Sequence, residues 1–166
     1  MIHWDSRAEL FDQYFGERYW NGTMYRRSFE DGLILPHKLL EVGIRRIFGD
    51  FELDYAKEMD IRLITMAELK QMNVEGFRDE LQRLFGDIKV YVSFDIDFVD
   101  PAFAPGTGGP ERGGATSFET IRLVRCLRGL NIVGLDMVEV CPPLDLGNMT
   151  SLLASVIMFE LLCILP

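Results

Sequence analysis

Apolar runs rich in β-branched residues recur along the chain, each with the length of a single strand. They are Leu40–Ile44, Ile61–Thr65, Val90–Phe94 and Ile132–Val140, and Met1–Trp4 could form one more short strand. For the most part these runs lack the strict polar alternation of a strand with one solvated face. Continuous apolar strands are typical of a parallel sheet that is covered on both faces.

Helical periodicity occupies the segments between the runs. The predicted helices are a segment that Thr23 could cap and that ends at Gly32, Glu75–Phe85, a segment opened by the capping-box pair Thr116 and Glu119, and a last helix from about Thr150 to Leu162. Strands that alternate with helices predict an α/β fold with a mostly parallel sheet. No repeat or low-complexity linker divides the sequence, so we expect one domain over residues 1–166.

Composition narrows the class of protein and of partner. The 166 residues are 48% hydrophobic and carry a net charge of -9, which is typical of an acidic soluble domain. This charge disfavours nucleic acid and anionic membranes as partners and is compatible with a cationic small molecule, although solubility alone would explain it. The apolar C-terminal run, Leu152 to Pro166, is interrupted by Glu160 and is too short to span a bilayer, so we expect a buried helix there.

The cysteines and the N-terminus bear on location. Cys126, Cys141 and Cys163 are odd in number and widely spaced, which is typical of buried free thiols in a reducing compartment. The first ten residues, MIHWDSRAEL, lack the basic and apolar regions of a signal peptide. We therefore expect an intracellular protein, with the cytoplasm as the first expectation.

Acidic residues fall where the predicted strands end. Asp5 follows the first possible strand, Asp95 and Asp97 follow Val90–Phe94, and Glu139 lies at the end of the last strand. Sites in open parallel sheets form at the carboxyl ends of strands. Two carboxylates this close repel each other unless a cation lies between them, and an oxygen-rich site suits Mn²⁺ or Mg²⁺. A solvated acidic loop would leave the same short motif, so the D-x-D spacing alone does not decide between the two.

The loop after this pair is far more specific. Residues 93–108 read SFDIDFVDPAFAPGTG, and proline and glycine at this density are typical of the shaped loops that build sites at strand ends. This segment resembles the signature of the ureohydrolases, the arginase and agmatinase family, and is most similar to the agmatinase branch. Residues 134–143, GLDMVEVCPP, resemble a later segment of the same family. Gly109 is the one clear departure beside the signature, since many agmatinases carry Thr there.

The resemblance implies a three-layer α/β/α fold and a site of two manganese ions. Such a site activates water for attack on a guanidinium carbon, which releases urea and an amine. It also implies that Asp5 and Asp95 bridge the metals, that Asp97 binds one of them, and that Glu139 pairs with the substrate guanidinium. The implied partners are a guanidino compound such as agmatine and further subunits, either as a homo-oligomer or with homologous chains.

The segment His3–Glu9 departs from the family pattern H-x-D-A-H-x-D. Arg7 stands at a metal-binding His, Glu9 at a metal-binding Asp, and Asn21 where agmatinases have a His near the substrate. The family's upstream G-G-D-H segment, with a further metal-binding His, has no counterpart, so we expect the N-terminal part of the fold to be missing. Glu9 could still bind a cation weakly, whereas a guanidinium stays protonated and cannot ligate a metal. We therefore expect Arg7 to project into the carboxylates and to replace part of the charge of a missing cation.

Three functional hypotheses follow from this comparison of retained and missing metal ligands. The chain could be an inactive or weakly active ureohydrolase remnant with weakened Mn²⁺ binding, an enzyme completed by a partner chain or an altered site, or a non-catalytic partner of active ureohydrolase subunits. We favour the first, because only three of the six expected metal ligands are retained. The remaining notable residues are interpreted as structural: His3 as a core residue, Trp4 and Trp20 as packing groups, and Arg45 and Arg46 as solvated or salt-bridged, while Asp145 has no assigned role.

Overall fold

A five-stranded parallel sheet forms the centre of the molecule. The computed structural model describes residues 1–165. The strands are β1 (Ile2–Trp4), β2 (Leu40–Ile44), β3 (Arg62–Thr65), β4 (Lys89–Asp95) and β5 (Asn131–Val138). Their order across the sheet is β3-β2-β1-β4-β5, and every neighbouring pair is parallel. The predicted α/β fold is confirmed, with all five predicted strands present; the last strand ends two residues earlier than expected.

In the part of the chain that the structure describes, six α-helices connect and cover the strands. They are α1 (Met24–Glu30), α2 (Asp50–Glu58), α3 (Met66–Gln71), α4 (Val74–Phe85), α5 (Ser117–Val124) and α6 (Met149–Cys163). The capping box predicted at α5 is present, because Thr116 and Glu119 exchange side-chain to backbone hydrogen bonds. Thr23 does precede α1, but its side chain makes no capping hydrogen bond.

The core lies in two layers, one on each face of the sheet. The larger layer centres on Trp4, which stacks on Phe94 and meets Phe77 and Phe98 edge to face. The smaller layer lies on the opposite face, where Tyr25 and other residues of α1 and α2 pack. These two layers give the three-layer arrangement that the sequence predicted.

Part of the surface is apolar on the β5 side of the molecule. β5 is an edge strand, and Tyr91 and Val138 of β4 and β5 are about 40% exposed. The C-terminal helix is buried on one face only, so the expectation of a buried helix is wrong for its other face. The solvent-facing side of this helix exposes five apolar side chains, Met149, Leu152, Val156, Phe159 and Leu162.

The segment Leu146–Cys163 is also long and apolar enough to cross a membrane by length and composition, which corrects our sequence-based expectation. A single helix of this kind is weak evidence for a membrane span. Pro166, the last residue of the predicted apolar run, lies outside the described residues. Of the three free cysteines only Cys126 is buried, while Cys141 is half-buried and Cys163 is exposed.

Candidate metal centre

Three aspartates meet where β1 and β4 end. These strands are neighbours in parallel register, so their carboxyl ends lie side by side. Asp5 follows β1, Asp95 is the last residue of β4, and Asp97 lies in the 3₁₀ turn that follows. One carboxylate oxygen from each lies within 4.8 Å of the others, and all three residues are buried. The three aspartates therefore lie together at one edge of the sheet, as predicted.

Backbone and hydroxyl donors hold the cluster in shape. The Asp97 amide donates to Asp95 Oδ1 at 2.7 Å, so the turn fixes the two carboxylates relative to each other. Ser6 donates its amide to Asp97 Oδ1 and its hydroxyl to Asp97 Oδ2, both at 2.9 Å. Ser6 was not predicted as a site residue from the sequence; its position between Asp5 and Arg7 was the available signal.

Burial and mutual repulsion perturb the carboxyl groups. Burial, followed by the charges of Asp5 and Asp97, raises the pKa of Asp95 to about 9. The same causes, burial first and then Asp5, raise the pKa of Asp97 to about 7, while Arg7 opposes them. Burial also acts to raise the pKa of Asp5, but the hydrogen bond and charge of His3, together with the amide and charge of Arg7, outweigh it and lower that pKa. A cluster whose members cannot all ionise at neutral pH is one that a cation would stabilise.

Arg7 supplies a cation from within the chain, as predicted. Its Nη2 lies 2.8 Å from Asp97 Oδ2, and its Nε donates to Glu9 Oε1 at 2.9 Å. Nη1 donates to the carbonyl oxygen of Gly109 at 3.0 Å, and the Arg7 amide donates to Asp5 Oδ1 at 2.7 Å. Glu9, the weakest predicted ligand, therefore pairs with Arg7 and lies outside the group of three aspartates.

Behind the cluster lies a buried histidine between two carboxylates. His3 Nε2 is 3.2 Å from Asp5 Oδ2, and Nδ1 is 2.7 Å from Glu41 Oε2. Burial alone would lower the pKa of His3, but Glu41 and Asp5 raise it well above its ordinary value. Burial raises the pKa of Glu41 to about 7. His3 is thus a core residue, as expected, whereas Glu41 was missed; a lone carboxylate inside an apolar strand was the signal.

Glu139 lies one residue beyond β5, on the same edge of the sheet as the aspartates. It is exposed and has a positive φ of 63°, which is uncommon for a residue other than glycine. A Cβ on Gly108 would lie 3.6 Å from Glu139 Oε2, so Glu139 faces the signature loop. Its predicted role toward a guanidinium stays a prediction.

Two residues that were not predicted to act at the site, Arg45 and Asp145, bind backbone groups near it. Arg45 donates to the carbonyl oxygens of Asp97 at 2.6 Å and Glu111 at 2.7 Å, so its interpretation as solvated or salt-bridged is wrong. Asp145 accepts from the amides of Thr150 and Ser151 and thereby caps the first turn of α6. The Arg45 guanidinium donates to backbone carbonyls, and no sequence pattern predicts such contacts.

The donor set fits one hard divalent cation better than two. Three carboxylates offer the oxygen ligands that Mn²⁺ or Mg²⁺ prefers. Both Asp97 oxygens, however, already accept hydrogen bonds or an ion pair from Ser6 and Arg7. The described hydrogen bonds of Asp95 engage Oδ1 alone, which leaves Oδ2 available to a cation.

Comparison with known proteins places this geometry in a family. The chain is 47% identical to a guanidinopropionase of Pseudomonas aeruginosa over 99% of its length and 52% of the relative. It is 36% identical to a mitochondrial agmatinase of Gallus gallus, covering all of the chain and 49% of the relative. The structure of proclavaminate amidino hydrolase from Streptomyces clavuligerus superposes with a TM-score of 0.88 and 41% identity, over 97% of this chain and 53% of that one.

The chain thus spans about half the length of the curated relatives it matches. The expectation that it corresponds to a portion of a ureohydrolase is confirmed. The family model for arginases matches residues 1–163, and the chain belongs to the arginase family.

Proposed function

We propose that this chain is a guanidino-compound-binding domain of the ureohydrolase type whose own hydrolytic activity is absent or weak. One observation carries the proposal: the buried cluster of Asp5, Asp95 and Asp97 is retained, yet a guanidinium of the chain itself occupies one side of it. When bound, a divalent cation would activate water for attack on the guanidinium carbon. The protein's own part would be to hold that cation with the aspartates and to pair Glu139 with the substrate.

The substrate class is a small guanidino compound. Named relatives include a guanidinopropionase, a guanidinobutyrase and an agmatinase, so the three probes are guanidinopropionate, guanidinobutyrate and agmatine. The relative with 47% identity makes guanidinopropionate the first choice, and agmatine, the compound that the sequence suggested, the second.

Urea release and ligand binding, measured separately with added Mn²⁺, test the proposal. We expect the purified chain to release little or no urea from any probe, while saturation-transfer NMR detects a bound guanidino compound. Glu139→Gln should weaken that binding, because a charged, bidentate partner of the guanidinium becomes neutral. A turnover rate typical of enzymes, on the order of 10 per second, would refute the claim of weak activity. Absent binding of all three probes would refute the binding role.

The exposed apolar surface favours a second candidate, a non-catalytic partner of active ureohydrolase subunits. Contiguous apolar side chains on α6, together with the open edge of β5, are features of association surfaces. Mixing the chain with a full-length ureohydrolase should give a joint peak in analytical ultracentrifugation. The double change Leu152→Ser and Phe159→Ser should abolish the joint peak; a joint peak that persists would contradict a role for α6.

A further inference from the structure

Two of the departures from the family pattern touch each other. Arg7 stands at the position of an expected ligand, and Gly109 lies more than 100 residues later, beside the signature. The Arg7 Nη1 donates to the Gly109 carbonyl oxygen at 3.0 Å. Two unusual residues so far apart in sequence therefore form one local structure.

Gly109 is the residue that gives the guanidinium its space. A Cβ at position 109 would lie 2.8 Å from Arg7 Nη1, 3.3 Å from Nη2 and 3.4 Å from Cζ. A contact of 2.8 Å is too short for a carbon and a nitrogen that are not bonded, so one of the two groups would have to move. The atoms in the way belong to the end of a flexible side chain, so a larger residue at 109 would displace the guanidinium and leave the backbone in place.

The guanidinium is bound as a cation in a built site. Asp97 and Glu9 lie at 2.8 and 2.9 Å from it, and the Arg7 side chain is 14% exposed. Its contact engages Asp97 Oδ2, so this oxygen is less available to a divalent cation. A fixed positive charge at that point also repels a second cation.

We propose that Arg7 and Gly109 form an internal cation clamp: the Arg7 guanidinium is the resident cation on the Asp97 side of the cluster, Gly109 leaves room for it, and together they exclude a divalent cation from that side. The proposal deepens the proposed function and rests on its premise that the aspartates form a cation site. It assigns Arg7 a role in place of a metal ligand, and it gives Gly109 a structural reason, since a Cβ there would displace the guanidinium.

Titration of the whole chain with Mn²⁺, followed by the electron paramagnetic resonance signal of free Mn²⁺, tests the clamp. Arg7→Ala should bind Mn²⁺ on the order of tenfold more tightly than the parent, the scale on which neighbouring groups change metal affinity. Gly109→Ala should tighten binding in the same direction, because it displaces the guanidinium. In the double variant, Gly109→Ala should add nothing to Arg7→Ala, since it acts through Arg7.

Two variants serve as matched controls. Gly108→Ala adds the same methyl group one residue away, where a Cβ makes an ordinary contact at 3.6 Å. Arg46→Ala removes the same charge from an exposed position. Both should bind Mn²⁺ as the parent does.

Thermal melting in EDTA and in Mn²⁺ gives a readout independent of activity. Arg7→Ala should melt below the parent in EDTA, and Mn²⁺ should restore much of the loss. Equal Mn²⁺ affinity in the parent, Arg7→Ala and Gly109→Ala overturns the clamp and leaves the aspartate site of the proposed function standing. If no variant binds Mn²⁺, the aspartates are not a cation site, and both the clamp and the metal role of the proposed function fail.

Discussion

Replacing Glu41 should show how much the buried histidine contributes to the stability of the site. Glu41→Leu keeps most of the side-chain volume but removes the acceptor 2.7 Å from His3 Nδ1. Both residues are at most 1% exposed, so no water replaces the lost partner. Removing one member of a buried ion pair costs about 3–5 kcal/mol, because the other charge stays buried.

The lower end of that range is expected, near 3 kcal/mol, because Glu41 is itself costly to bury. Its Oε1 has no hydrogen-bond partner among the described residues, and burial raises its pKa to about 7. Glu41→Gln is the matched control, since the amide oxygen can still accept from Nδ1; it should cost about 1 kcal/mol, the difference between a hydrogen bond to a charged acceptor and one to a neutral acceptor.

Urea unfolding in EDTA at neutral pH measures both variants against the parent. The double variant His3→Phe, Glu41→Leu should recover part of the loss, because an apolar pair can replace a buried ion pair at little cost. A Glu41→Leu chain within about 0.5 kcal/mol of the parent, the range of an ordinary surface change, would refute the reasoning. So would a Gln variant as unstable as the Leu variant.

Three further changes probe the scaffold. Phe77→Ala should cost about 3–5 kcal/mol in urea unfolding, because Phe77 is fully buried, while Phe118→Ala at a 68% exposed position should cost far less; equal losses would contradict the assigned core. Glu80 has its pKa lowered from 4.5 to about 2, chiefly by Arg83, so its stabilising charge is present above pH 4.5 and lost as the pH falls toward 2. Glu80→Gln should therefore flatten the acid side of a melting-temperature profile, and an unchanged slope would argue against the ion pair. Thr116→Ala should cost about 1 kcal/mol through loss of the α5 cap, and Thr116→Ser should restore most of it.

The strands and the aspartates were predictable because each depends on a local pattern. Apolar runs locate β2 to β5, and the acidic residues after them fall at one edge by the geometry of a parallel sheet. Glu41 is a charged residue in an otherwise apolar strand, but the sequence does not show that His3 is its partner. A run of apolar residues predicts burial and does not predict which polar groups contact each other. Arg45 was misjudged for the same reason, since its acceptors are backbone carbonyls of a loop some 50 to 70 residues away.

The C-terminal helix was misjudged for a different reason. Its composition is apolar all round, which predicts burial on every side. Burial, however, depends on what packs against the helix, and the described residues cover only the face that carries Thr150, Ala154, Ile157 and Leu161. An apolar helix sequence indicates that the helix tends to be buried, but it does not show which residues pack against each face.

The positions of the departures suggest which part of the chemistry has changed. Arg7, Glu9 and Gly109 meet at one point, beside Asp97 and next to the end of β1. By contrast, Asp95 Oδ1 accepts a hydrogen bond from the Asp97 amide, and Asp95 Oδ2 stays available to a cation. Changes spread at random over the site would have altered both sides of the cluster. Because they converge on one side, we expect at most one cation position to survive, on the Asp95 side of the cluster, so Mn²⁺ should saturate the parent chain at no more than one ion per molecule. Two ions per molecule in the parent would contradict this argument.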